Sequence, residues 1–123
     1  MGQRTRCCFT TDYRRLDIVL VNFVFAKETG SKRRPVLLLS SDEYMEGRQK
    51  AVVSAITRNT RRILTGDYLM VGWEGCGLIF PSVVTGILRT IKQSMIERKM
   101  GEISPCDLAE IESNLTQILE LNN

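Results

Sequence analysis

Apolar residues in this chain gather into short blocks separated by polar, glycine-bearing stretches, which is the pattern of strands more than of helices. In LDIVLVNFVF (16–25), Val19, Val21, Phe23 and Phe25 fall on one face and Ile18 and Leu20 on the other, predicting a strand buried on both sides. KETGSKRR reads as a short loop turning at Gly30, followed by a second strand, PVLLLSS (35–41), with Pro35 at its first position. DEYMEGRQK reads as another loop, and AVVSAIT (51–57) as a third strand. ILTGDYLMVGW (63–73) suggests a bulged strand or hairpin around Gly66 and Asp67, and LIFPSVVTGILRTI (78–91) contains a fifth strand from Ser82 onward. KQSMI fits a helical turn, and ERKMGEI a sixth short strand.

The last block changes period. In ISPCDLAEIESNLTQILEL, Ser104 is placed as N-cap, Pro105 at the first helical position and Asp107 two residues further in. Leu108, Ile111, Leu115, Ile118 and Leu119 then make one apolar stripe, which predicts an amphipathic helix lying on the strands. Many short strands with one terminal helix define a mainly β (α+β) architecture: a small β-barrel with appended helices. At 123 residues the chain has the length of one domain. We expect a basic N-terminal extension over 1–15 and the domain itself over 16–123.

Charge sharpens this picture. Net charge is only +3, but residues 1–34 hold eight Lys/Arg against three Asp/Glu, and residues 48–62 hold five Lys/Arg and no acid. The last 22 residues hold five acids and no base. Such asymmetry suits an anionic partner, though a solvated face also explains it. No apolar run approaches the roughly 20 residues of a membrane span. The polar, basic start lacks the apolar segment of a secretory signal. Four cysteines at positions 7, 8, 76 and 106 lack metal-ligand spacing and read as free thiols of a reducing cytoplasm, Cys76 and Cys106 as small buried residues.

The chain contains no histidine, which removes the Ser-His-Asp triad, the Cys-His dyad and the two-histidine ribonuclease. No phosphate-binding GxxxxGK[ST] loop occurs, and Gly72, Gly75 and Gly77 fit turns better than a dinucleotide fingerprint. Asp42, Glu43 and Glu46 cluster without a partner set and read as solvated. Neither a metal nor a cofactor is expected.

What remains is arginine with hydroxyl. Thr57 ends one strand and is followed by Arg58, Asn59, Thr60, Arg61 and Arg62, while Arg34 leads into its neighbour. If the two strands lie side by side, Arg34 and Thr57 share one rim. A guanidinium fork suits phosphate, and a threonine hydroxyl donates or accepts. Such a pair suits a phosphodiester whose own 2′-hydroxyl is the nucleophile, because the protein need only orient that group and stabilise the charged transition state. A structural threonine beside a solvated arginine run explains the same residues equally well.

DIVLVNF, SKRRPVLLLSS, VVSAITRN, GLIFPSVV, LRTI and the Ser-Pro-led terminal helix, in this order over about residues 16–119, resemble the MazF/PemK-like toxins of toxin–antitoxin systems. The resemblance implies an SH3-like β-barrel homodimer of the CcdB/MazF type that cleaves single-stranded RNA without metal at short preferred sequences. It further implies 2′,3′-cyclic phosphate and 5′-hydroxyl ends, and a cognate antitoxin whose acidic, extended tail covers the RNA groove. By position, Arg34 matches the catalytic arginine and Thr57 the catalytic threonine. Lys32, Arg33, Arg58 and Asn59 match the groove contacts. Ser82 and Arg89 lie in matching stretches, Arg89 either contacting RNA or bracing the barrel. An arginine, which stays cationic, is better suited to hold and protonate phosphate oxygens than to act as a free base. Pro35 aims Arg34 by biasing the residue before it toward extended backbone.

The chain departs from the family at Leu16, at Val24 and around PSVV, where Ile79, Phe80 and Thr85 bring less positive charge. Two rival readings stay open: a gyrase-poisoning toxin on the same fold that needs no Arg-Thr pair, and a non-catalytic RNA-binding barrel.

Overall fold

The computed structural model describes residues 13–24 and 31–121. Cys7, Cys8, the loop around Gly30 and most of the expected extension 1–15 lie outside the described residues, as does the Val24 side chain. Six strands are present: β1 (Asp17–Val24), β2 (Ser31–Leu38), β3 (Lys50–Thr57), β4 (Tyr68–Leu69), β5 (Val83–Lys92) and β6 (Ile96–Glu102). Two α-helices, α1 (Asp42–Arg48) and α2 (Pro105–Leu119), accompany short 3-10 turns at Trp73–Cys76 and Gln93–Met95. The strands form one antiparallel sheet in the order β4-β5-β3-β2-β1-β6.

Each side of the sheet carries its own core, as the doubly apolar strands foretold. Val19, Val21, Phe23, Val36, Leu38, Ala51, Val53 and Ile91 pack with Met45 of α1. Ile18, Leu37, Ile56 and Val84, of the opposite parity or beyond the β3 irregularity, pack with Met70, Cys76, Leu78 and Ile111 of α2. The alternation of side chains along a strand makes this division.

The hydrogen-bonded sheet is open between β4 and β6, and close backbone packing fills the gap. The 73–76 turn lies so near β6 that a Cβ on Gly77 would stand 2.0 Å from the Met100 carbonyl oxygen. One on Gly101 would stand 2.0 Å from that of Cys76. Gly77 also has φ +85, which favours glycine. The sheet is therefore open, with the 73–77 turn rather than β4 packed against β6.

Three expectations need correction. Residues 42–50 were read as a loop, yet α1 stands there, with the Ser41 hydroxyl accepting the Tyr44 N–H and Gln49 left-handed at its end. A seven-residue helix burying only Met45 has no room for a periodic stripe, so composition hid it. The second strand runs Ser31–Leu38 rather than 35–41, so Lys32, Arg33 and Arg34 are strand residues and Pro35 is interior. Residues 63–73 hold only the two-residue β4; the rest is turn, organised by Asp67, whose carboxylate accepts the N–H groups of Leu64 and Gly86.

The terminal helix has its expected cap: the Ser104 hydroxyl accepts the Asp107 N–H at 3.2 Å. Ile111 and, more shallowly, Leu115 join the second core, whereas Leu119 is exposed. Asp107 does more than its cap position suggested. Its buried carboxylate accepts the Tyr68 hydroxyl, the Val71 and Gly72 N–H groups at 2.9 Å and the Ser104 hydroxyl at 2.9 Å. Burial pushes its pKa up, but these four donors outweigh that and hold it below the usual carboxylate range. Burial and the Asp107 hydrogen bond together push the Tyr68 phenol well above its ordinary value. Cys76 is buried as expected, but Cys106, second in α2, is exposed.

Candidate active site

The site forms where the two central strands part. β2 and β3 pair from Leu38↔Val53 to Val36↔Ala55 and no further. The next residue, Pro35, has no N–H with which to continue a ladder. Beyond it β2 stays bound to β1 through Leu20↔Pro35, Val21↔Arg34 and Asn22↔Arg33. β3 stays bound to β5 through Ile56↔Val84 and Thr57↔Val83. Extended by two residues, the β2–β3 register sets Arg34 across from Thr57.

A pocket of about 430 Å³ opens there. Its polar lining includes Arg33, Arg34, Thr57, Arg58, Asn59 and Ser82. Pro35, Ile56, Leu78 and Met100 supply an apolar floor continuous with the second core.

Local hydrogen bonds fix the segment after β3. The Thr57 Oγ1 accepts the Asn59 N–H at 3.1 Å, and the Asn59 Oδ1 accepts the Arg61 N–H at 3.2 Å. These side-chain-closed turns set the chain's exit from the strand, and the Thr57 hydroxyl keeps its proton to donate. Arg58 lies with its guanidinium carbon 4.6 Å from the centroid of the Phe80 ring. The Arg33 Nε donates to Glu97 Oε1 at 2.8 Å. The Arg34 side chain is exposed and has no hydrogen-bond or ion-pair partner among the described residues.

Six of the eight residues singled out from sequence thus meet at this pocket, and two do not. Lys32 is exposed on β2, across from Phe23 and outside the pocket lining. Arg89 lies 4.9 Å from the centroid of the Phe23 ring and lines a separate hollow of about 520 Å³ with Lys50 and Lys92. Ser82 reaches the pocket but is only 2% exposed, and its hydroxyl donates to the Phe80 carbonyl at 2.7 Å. Phe80 was read from the sequence only as a position lacking charge. Its proximity to Arg58 comes from packing across 22 residues, which no local pattern signals.

Among the described residues no group of three or more His, Cys, Asp or Glu side chains is placed to hold a metal ion. The site can offer a phosphate a guanidinium with open donors, a hydroxyl and flanking positive charge on a preformed frame.

The fold and pocket define a small antiparallel β protein with a cationic cleft, and comparison gives the family. Residues 14–119 match the family model described as PemK-like, MazF-like toxin of type II toxin–antitoxin system. The chain belongs to that family. No curated protein matches the sequence closely enough to count as a relative. Among solved structures, the chain is similar to a MazE–MazF complex from Deinococcus radiodurans, at TM-score 0.74 and 22% identity over 90% of this chain and 100% of that one. It is also similar to an endoribonuclease in complex with its cognate antitoxin from a Mycobacterial species, at TM-score 0.70 and 18% identity, covering 90% and 98%. The Mycobacterium tuberculosis toxin MazF-mt6 is similar at TM-score 0.69 and 23% identity, covering 87% and 99%.

Proposed function

We propose that this toxin is an endoribonuclease that cuts single-stranded RNA in the Arg34–Thr57 pocket, using the RNA's own 2′-hydroxyl as nucleophile. The observation that carries the reading is that Arg34, whose side chain has no partner among the described residues, and Thr57 line one pocket where β2 and β3 separate. A phosphodiester bound there receives charge-assisted hydrogen bonds from Arg34 and a hydrogen bond from Thr57. As the 2′-oxygen bonds to phosphorus, the bond to the 5′-oxygen breaks, leaving a 2′,3′-cyclic phosphate and a 5′-hydroxyl. One proton leaves the 2′-hydroxyl and one joins the departing oxygen, so the step needs neither an external nucleophile nor a redox partner. Arg34 stabilises charge on the non-bridging oxygens as it develops. Arg33, Arg58 and Asn59 hold the strand, and Lys32 adds long-range attraction.

Family membership and the solved toxin–antitoxin complexes support a cognate antitoxin as the protein partner. An acidic, extended antitoxin tail over the same pocket is the natural inhibitor of a site built from cations. The family resemblance also supports a homodimer. Family membership and an RNA substrate support a cytoplasmic location; no helix among the described residues is long and apolar enough to cross a membrane.

The test is a long unstructured RNA incubated with the purified protein in EDTA, with fragment ends mapped. Fragments carrying 5′-hydroxyl groups at a defined short sequence are expected. Intact RNA together with gyrase-dependent DNA breaks would replace this reading with the gyrase-poisoning one.

A further inference from the structure

Phe80 belongs to neither hydrophobic core, and 46% of it is exposed. It stands at the junction of two hollows, lining both the Arg34–Thr57 pocket and a neighbouring one formed with Asn59, Thr60 and Pro81. The ring is held in place. Arg58 covers part of it, Pro81 stiffens the backbone after it, and the buried Ser82 hydroxyl ties down its carbonyl. A large aromatic ring held against a guanidinium, half in water beside a cationic pocket of about 430 Å³, is placed to offer a face to a ligand.

We propose that Phe80, with Arg58 against it, is a stacking platform for the nucleobase next to the phosphate held at Arg34 and Thr57. This rests on the ribonuclease reading and deepens it. Aromatic rings with a guanidinium alongside recur as base platforms because every nucleobase has a π-face and the cation strengthens the contact. Stacking of this kind adds affinity without reading base edges, so Phe80 acts as a positioning residue that contributes to binding whatever the cleavage sequence. It also gives Ser82 a role that burial otherwise denies it: fixing the backbone that carries the ring.

The probe is an RNA of the mapped cleavage sequence with 2-aminopurine beside the scissile bond and a 2′-deoxynucleotide at that bond to block cutting. Its fluorescence should fall on binding to the natural protein and to Phe80→Trp, and not with Phe80→Leu. On cleavable RNA, Phe80→Leu should raise KM roughly tenfold or more with kcat and the cleavage sequence kept, and Phe80→Trp should restore KM. Phe80 lies outside both cores, so the variants should fold; melting temperatures measured in parallel verify this. Unchanged KM and equal quenching in Phe80→Leu would overturn the platform, as would a loss confined to kcat. RNA left uncut by the natural protein would instead sink the ribonuclease reading itself.

Discussion

Two polar clusters in this small protein behave in opposite ways. Around Asp107 every carboxylate lone pair has a donor: a phenol, a serine hydroxyl and two backbone amides, all with the acid itself fully buried. Around Arg34 the guanidinium is exposed and has no partner among the described residues, the Thr57 hydroxyl keeps a proton to give, and the strands that carry them are paired to β1 and β5. The first cluster consumes its hydrogen-bonding capacity internally and ties α2 to the segment after β4. The second keeps that capacity for something outside the chain. Unsatisfied donors held on a stiff frame are the mark of a site, whereas satisfied ones are the mark of a joint.

The comparison can be broken most forcefully on the substrate side. Replacing the one ribonucleotide at the mapped bond by its 2′-deoxy analogue should stop cleavage there entirely. Cutting at that bond would mean water, not the RNA, attacks. On the structural side, Asp107→Ala should destabilise the fold by about 3 kcal/mol, because two backbone amides and two hydroxyls lose a buried acceptor. Chemical denaturation reads this, and a loss under about 0.5 kcal/mol would show the hub to be dispensable.

The same residue fixes a pH dependence. Its folded pKa is depressed, so its contribution is present above the unfolded value near 3.9 and disappears as pH falls through the folded one. Stability should therefore decline below about pH 4 in the natural protein and do so less steeply in Asp107→Asn.

Smaller effects sharpen the pocket. Thr57→Val, which keeps shape and loses the hydroxyl, should lower kcat roughly 10- to 100-fold, as loss of one hydrogen bond to a charged transition state implies, with only a small fall in melting temperature from the lost exposed turn bond to Asn59. Wild-type turnover in this variant would reduce Thr57 to a cap for the following turn. Lys32→Ala, outside the lining, should leave kcat alone and lower the magnitude of the salt dependence of binding by about 0.7, one single-strand phosphate contact. A fall in kcat would bring Lys32 into the site after all.

Much of this architecture could be read from the residues. The doubly apolar strands, the Ser104 cap and the stripe of α2 depend on local periodicity, and all three stand in the structure. Helix α1 could not be seen, because one buried Met45 in seven residues leaves no period to detect. The start of β2 was missed because Lys32–Arg34 look like a loop, yet pairing to β1 makes them strand. The pocket's cations and Thr57 were visible as types in a sequence run. What joined them was the end of the β2–β3 ladder at Pro35, a matter of pairing between distant segments. The placements of Phe80 against Arg58 and of Arg89 in another hollow are likewise products of tertiary packing, as is the burial of Asp107.

The most direct test compares the natural protein with Arg34→Ala under single-turnover conditions on RNA of the mapped sequence, with EDTA present and melting temperatures recorded alongside. The Arg34 side chain is exposed and has no hydrogen-bond or ion-pair partner among the described residues, so its loss should leave the fold unchanged while cleavage slows by at least about 10²- to 10³-fold. Cleavage within about threefold of the natural rate, by a protein folded just as well, would contradict the account and move the chemistry elsewhere on the molecule.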